Sequence, residues 1–194
     1  MAIAIVVAYL IGSIPFALIC ARRWGASDLR RIGSGNLGAT NVMRASGVTA
    51  GVVVAALDVA KGAASVWIAE YLGSGPALPA VAGLAAIVGH VYPIWLRFRG
   101  GKGVATACGV FSVLTPLALP PALAIFAVAV WLTKYISLGS VLASVALPPL
   151  AYALGSSVPA VLAACAASTI ILFRHRSNVG RLRTGTERRL GARA

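Results

Sequence analysis

Apolar positions in this chain gather into long runs separated by short polar, glycine-rich and basic segments. Ile3 to Ala21 carries no charge and is followed at once by Arg22 and Arg23. A polar stretch rich in Gly, Asn, Ser, Thr and Arg occupies Arg22 to Ser46. A second apolar run extends over 47–70, holding Asp58 and Lys61, and Gly73-Ser-Gly-Pro76 turns it into a third over 77–96. About 20 apolar residues suffice to cross a bilayer as a helix, so each of these runs predicts one crossing.

Two further runs, Gly103 to Thr133 and Tyr135 to Phe173, are each too long for one ordinary crossing and short for two. As one helix the first would be roughly 46 Å long, against a hydrocarbon core of about 30 Å. Breaking signals favour two helices in each: Thr115-Pro116 and Pro120-Pro121 in one, Gly155-Ser-Ser-Val-Pro159 in the other. The predicted fold is an all-α integral membrane protein with one domain, 1–194. Its seven short helices lie near 3–21, 47–70, 77–96, 103–115, 117–133, 138–155 and 158–174, followed by a basic tail over 175–194. Five crossings is the alternative.

Composition narrows the class in the same direction. The chain has 194 residues, is 59% hydrophobic and only 11% charged, and carries a formal charge of +13. So few charges cannot coat a soluble nucleic-acid-binding domain of this size, and so much apolar surface would not stay disordered. The three cysteines, Cys20, Cys108 and Cys165, are widely spaced in apolar runs and suggest neither a disulfide framework nor a metal cluster.

Charge placement predicts the orientation. With seven crossings, all of the 17 Lys and Arg except Lys61 fall in alternate loops and the tail. The positive-inside rule then places the N-terminus outside and the C-terminus in the cytoplasm. A signal peptide carries positive charge before its apolar run, whereas here it comes after, so the first run reads as a retained helix.

On that cytoplasmic side lie four polar segments: Gly33-Ser-Gly-Asn-Leu-Gly-Ala-Thr-Asn41, Gly100-Gly-Lys-Gly-Val-Ala-Thr106, Ser137-Leu-Gly-Ser140 and His175-Arg-Ser-Asn178. The first three adjoin the starts of predicted helices 2, 4 and 6, whose free N–H groups and positive dipole ends would face the cytoplasm. Glycine lets backbone amides approach a ligand closely, and Arg44, Lys102, Arg174 and Lys61 supply full charges. This predicts a cytoplasmic-face pocket for anions such as phosphates. Asp58 and Lys61, at i and i+3, share a helical face and can pair inside the membrane. His90 is expected as a buried neutral histidine bonded to a backbone carbonyl, and His175 at the membrane interface. The arginines from Arg181 onward are expected to anchor lipid headgroups.

The dinucleotide-type spacing Gly33-x-Gly35-x-x-Gly38 is spurious, because no strand precedes it. Gly-Gly-Lys-Gly is not a Walker loop, lacking the upstream glycine and the Ser or Thr after Lys.

Five segments, in order and spacing, carry a resemblance: Gly33-Ser-Gly-Asn-Leu-Gly-Ala-Thr-Asn-Val-Met-Arg44, Asp58-x-x-Lys-Gly62, Gly89-His-Val-Tyr-Pro93, Phe98-Arg-Gly-Gly-Lys-Gly-Val-Ala-Thr106 and Arg174-His-Arg-x-Asn178. Together they resemble the bacterial membrane-bound, acyl-phosphate-dependent glycerol-3-phosphate acyltransferases, over residues 3 to about 188. Leu37 stands where that family often has proline, which bears on loop stiffness and leaves the backbone amides in place.

The resemblance implies a seven-helix enzyme of the bacterial inner membrane with its site facing the cytoplasm. The enzyme would move a fatty acyl group from acyl phosphate to the 1-hydroxyl of sn-glycerol 3-phosphate, giving lysophosphatidic acid and phosphate. It implies no cofactor, metal or nucleic acid; the partners are the two substrates, membrane lipids and another enzyme that supplies acyl phosphate. It also assigns Ser34, Gly35, Asn36, Gly38, Thr40 and Asn41 to a phosphate-binding loop, with Gly100, Gly101, Gly103 and Thr106 in the second glycine segment. Arg44, Lys102, His175 and Asn178 would bind glycerol phosphate or the donor phosphate, and either Ser137 or Ser140 would add a hydroxyl. Asp58, Lys61, His90 and Arg174 would support them.

The His-x-x-x-x-Asp arrangement of soluble acyltransferases is absent, since the residues five beyond His90 and His175 are Trp95 and Gly180. Acyl phosphate has a good leaving group, so positioning and charge neutralisation can supply most of the acceleration. A transporter of an anionic solute is the competing reading, with Asp58 and Lys61 lining its path.

Overall fold

The computed structural model describes residues 1–24, 29–30, 35–73 and 75–191. Among them it has helices and no strand. The helices are α1 (Ala2–Gly12), α2 (Phe16–Arg23), α3 (Ala39–Ser46), α4 (Val48–Tyr71), α5 (Ala77–Val91), α6 (Val104–Leu114), α7 (Leu119–Thr133), α8 (Ile136–Ala153), α9 (Val158–Arg174) and α10 (Arg176–Arg183), with a 3-10 turn at Ile94–Leu96. Four segments are long and apolar enough to cross a membrane: Ala2–Arg23, Val48–Tyr71, Ala77–Leu96 and Ile136–Ala153. A fifth arises if α9 and α10, bent by 55°, count as one. The chain is an all-helical membrane protein, and side chains such as Trp67, Tyr71, Trp131 and Tyr152 are exposed on helices with no aqueous reason to be so.

Several boundaries follow from local chemistry. The first apolar run, expected as one helix, is divided at 13–15 because Pro15 has no N–H to continue the ladder. The Ser13 hydroxyl donates to the Tyr9 carbonyl beside that break. The 135–173 run divides between Ala153 and Val158, where Gly155 takes a positive φ of 74°. By contrast α8 continues through Pro148 and Pro149, as membrane helices can when neighbouring groups satisfy the freed carbonyls. The short helices α3 and α10 went unanticipated, because eight polar-rich residues leave no apolar run.

The chain divides into two compact units, Met1–Val110 and a second from Phe111 onward. In the first, α1 packs on α5 and α4, and α3 on α4. A Cβ on Gly12 would stand 2.1 Å from the Ala86 carbonyl oxygen, and one on Gly89 2.2 Å from that of Tyr9, so glycine at both is what lets α1 and α5 meet backbone to backbone. Ala17, Cys20, Leu29, Leu37, Val42 and Val54 form a core that fixes α3 and the 35–38 segment on α2 and α4. In the second unit α8 packs between α7 and α9, and α10 touches α8 and α9.

Candidate functional site

Within the first unit the glycine segments become defined loops. Gly35 has φ +67°, and a Cβ there would lie 2.9 Å from the Arg30 carbonyl oxygen, so this turn requires glycine. Gly38 then starts α3 in an extended conformation, with no side chain capping the helix. Such an uncapped start presents amides suited to an anion. Thr40 and Arg44 are half-exposed on α3. Asn41 is not: it is 2% exposed, and its amide donates to the Leu29 carbonyl at 2.9 Å, so it holds the loop in place. Asn36 buries its side-chain oxygen without a partner, and Ser34 lies outside the described residues.

The second glycine loop folds back onto the end of α5. Arg97 and Phe98 both take positive φ, of 51° and 60°, which is costly for residues with side chains and occurs where surroundings enforce it. Gly100 N–H donates to the Val91 carbonyl at 3.0 Å and Gly101 N–H to the His90 carbonyl at 3.1 Å. Gly103, at φ +88°, leads into α6, and Lys102 is half-buried between these glycines. A Cβ on Gly101 would fall 3.0 Å from the Leu37 carbonyl oxygen. The two glycine loops, more than 60 residues apart in sequence, therefore touch each other. Thr106 is fully enclosed, and its hydroxyl has no protein partner.

Beneath the second loop lies an ion cluster. Lys61 Nζ stands 2.8 Å from Asp58 Oδ1 and donates to the Ile14 carbonyl at 3.0 Å, beside the break between α1 and α2. The Phe16 ring faces the same ammonium, its centroid 5.6 Å away. His90 Nδ1 is 3.5 Å from Asp58 Oδ1, so the side chain faces a carboxylate and not the backbone carbonyl expected from sequence. Asp58 is 1% exposed, Lys61 5% and His90 8%. The cleft beside them, lined also by Leu37, Gly100 and Gly101, has room for about one water molecule as the helices stand.

A second polar cluster forms in the other unit. Glu187 accepts from Ser137 Oγ at 2.7 Å, Asn178 Nδ2 at 2.6 Å and Arg181 Nε at 2.6 Å. Burial would raise the pKa of this carboxyl, but those three hydrogen bonds and the Arg181 charge outweigh it and hold Glu187 below its ordinary value of 4.5. Arg181 is thus tied to protein through its Nε, with its side chain still 39% exposed. The Leu190 N–H donates to the Lys134 carbonyl at 2.7 Å, drawing the tail back to the start of α8. His175 is 2% exposed, enclosed by protein at the C-terminal end of α9, and its Nδ1 donates to the Ile171 carbonyl at 2.8 Å. That bond puts the proton on Nδ1 and leaves Nε2 as the nitrogen able to accept one. Ser140 donates to the Ile136 carbonyl, so of the two serines only Ser137 joins the polar cluster through its side chain. Arg174 is half-buried in the last turn of α9.

Known proteins decide the family. The glycerol-3-phosphate acyltransferase family model matches residues 2–185. The chain belongs to that family. A glycerol-3-phosphate acyltransferase of Syntrophotalea carbinolica is 46% identical over 191 residues, covering 98% of this chain and 97% of its own. One of Geobacter sulfurreducens is 47% identical over 186 residues, covering 96% and 95%. Among solved structures, PlsY (YgiH), described as an integral membrane glycerol 3-phosphate acyltransferase, superposes in its glycerol 3-phosphate form with a TM-score of 0.93. That match has 38% identity and covers 98% of this chain and 95% of that one. Its lysophosphatidic acid form gives 0.91 at 36% identity, with the same coverage.

Glu187 is the polar-cluster residue that sequence reasoning passed over. Its signal was available: it is one of only 4 acidic residues, standing in a tail whose other charged side chains are all arginine.

Proposed function

We infer that this acyltransferase moves a fatty acyl group from acyl phosphate to the 1-hydroxyl of sn-glycerol 3-phosphate. The observation that carries the reading is the meeting of the two glycine loops, which brings Gly35, Gly38, Gly101 and Gly103 into one region with Arg44 and Lys102 on the adjoining segments. Close-approaching backbone amides beside two permanent cations suit phosphate, and both substrates carry one. Asn41 acts by fixing the first loop, and Thr106 keeps its place beside the second with a buried hydroxyl that has no protein partner. His175 and Asn178 are assigned to substrate by the family motif, with Arg174 in support and either Ser137 or Ser140 adding a hydroxyl.

In the reaction the glycerol hydroxyl oxygen attacks the acyl carbon. The bond from that carbon to the phosphate oxygen breaks, and phosphate leaves with the electron pair. Lys102, Arg44 and the loop amides stabilise the charge on the carbonyl oxygen and the departing phosphate. The hydroxyl proton passes to the phosphate itself or to His175 Nε2. Replacing His175 with Gln separates the two, abolishing turnover if the imidazole takes the proton and mainly weakening binding if phosphate does.

Asp58 and Lys61 pair with each other, with room beside them for about one water molecule, which favours an enzyme over a solute path although Asp58 Oδ2 is buried without a partner. For topology we propose seven crossings with the N-terminus outside and the site at the cytoplasmic face of a bacterial inner membrane. The two short helices α6 and α7 would each be a thin crossing, roughly 16 and 22 Å long at 1.5 Å per residue. Labelling single cysteines at 75 and 188 with an impermeant maleimide should mark opposite faces.

The deciding assay mixes purified protein in detergent with palmitoyl phosphate and labelled glycerol 3-phosphate, without CoA or acyl carrier protein. Lysophosphatidic acid should form, and its absence overturns the reading. Lys102→Ala should reduce product at least 100-fold, while Arg188→Ala on the exposed tail leaves it unchanged.

A further inference from the structure

Ionisable groups inside a membrane protein are expensive, and a buried ion pair is on balance a weak source of stability. The Asp58–Lys61–His90 cluster borders a narrow cleft shared with Leu37, Gly100 and Gly101, with room for about one water molecule. Its contacts nevertheless lead from the broken first helix to the second glycine loop. Lys61 is held by the Ile14 carbonyl and by Asp58, and Asp58 in turn faces His90 Nδ1. The opposite edge of the His90 ring meets the loop, where a Cβ on Gly101 would fall 2.2 Å from Nε2. His90 and Val91 also supply the two carbonyls that receive the Gly101 and Gly100 amides. One imidazole is thus wedged between a buried carboxylate and the backbone immediately before Lys102.

We propose that Asp58 and His90 are positioning residues for the acyltransferase: Asp58 fixes the plane of the His90 ring, and the ring sets the path of the Gly100–Gly103 backbone and so the direction of its amides and of Lys102. This rests on the reading that the loop holds a substrate phosphate. It explains why a histidine and a carboxylate are kept in an apolar helix pair, and why residue 101 is glycine although its φ is not in the left-handed region.

The test is a cycle on Gly101 and His90, read as KM and kcat for both phosphate substrates. Gly101→Ala pushes a methyl group into the ring and should lower kcat/KM by about 100-fold or more. His90→Ala frees the loop and should raise KM for at least one phosphate substrate by about 10-fold, with a smaller change in kcat. Because the shortened residue 90 removes the severe overlap and leaves only the 3.0 Å approach to the Leu37 carbonyl oxygen, the double variant should recover at least about 10-fold over Gly101→Ala. Asp58→Asn, nearly isosteric, should raise KM for the same substrate as His90→Ala, and His90→Gln should be milder than His90→Ala.

A double variant no better than Gly101→Ala overturns the proposal. If Gly101→Ala does not fold, the KM values decide alone: Asp58→Asn and His90→Gln both within twofold of the parent protein overturn it. Lys102→Ala keeps the two ideas apart. Full activity in that variant means the loop reading itself fails, whereas a dead Lys102→Ala beside unaltered Asp58→Asn and His90→Gln sinks only the positioning role.

Discussion

Each unit of this protein organises its polar groups around one carboxylate, and the two do so under opposite conditions. Asp58 sits in the middle of α4, 1% exposed, with Lys61 and His90 as partners from the apolar interior. Glu187 lies in the tail after α10, and the guanidinium side of its ion pair is 39% exposed. The first cluster is enclosed among helices that cannot move without breaking close backbone packing. The second closes a chain end, and its three donors come from α8 and α10. A buried charge that loses its partner has nowhere to turn, whereas an edge charge can turn to water. The cluster in α4 is therefore a brittle structural support, and the tail cluster an adjustable latch.

The largest effect that can break this contrast is on Asp58. Asp58→Ala leaves the Lys61 ammonium buried without a carboxylate and should cost about 3–5 kcal/mol, seen as a large fall in the Tm of detergent-purified protein. Asp58→Leu with Lys61→Met removes both charges and should be markedly less destabilising. A double variant worse than the single one would mean the pair contributes net stability. Next comes Glu187→Gln, which should cost about 1–2 kcal/mol, at the low end because solvent screens the exposed Arg181. The same change should lower activity about 10-fold by releasing Asn178, measured as a rise in KM.

Acid gives a smaller and separable effect. The folded-state pKa of Glu187 is depressed, so its contribution is fully present above the ordinary value of 4.5 and is lost as pH falls through the lower folded value. Stability should be flat from neutrality to about pH 5 on this account and should decline below it, and Glu187→Gln should flatten that decline. Smallest is salt. At about 1 M NaCl the screening length is near 3 Å, so the exposed Arg181–Glu187 pair should weaken by a few tenths of a kcal/mol while the Asp58 cluster is untouched. Equal salt responses in Glu187→Gln and parent protein would remove the latch interpretation.

How far each cluster could be read in advance follows from its geometry. Asp58 and Lys61 are three residues apart on one helix, so their meeting needs only the helical repeat. His90 joins them from another helix, and nothing local distinguishes a histidine that faces a carboxylate from one that faces a carbonyl. Ser137 and Ser140 are equally polar in sequence; only the return of the tail to the start of α8 makes Ser137 the partner of Glu187. The same return of the tail pairs Arg181 with Glu187, a contact that the expected lipid-anchor role did not foresee.

By itself the sequence determined the membrane class, the apolar helical runs, the all-helical fold and the glycine-rich segments to which phosphate chemistry is assigned in the proposal above. These depend on properties that accumulate locally: hydropathy over a span, proline and glycine at breaks, and charge per loop. Tertiary structure alone decided that the two glycine loops touch, that Asn41 and Thr106 are enclosed, and that His90 bears on Gly101. Contacts between residues far apart are set by how helices pack, and a glycine chosen because a neighbouring backbone or ring leaves no room for a Cβ looks in sequence like any other glycine.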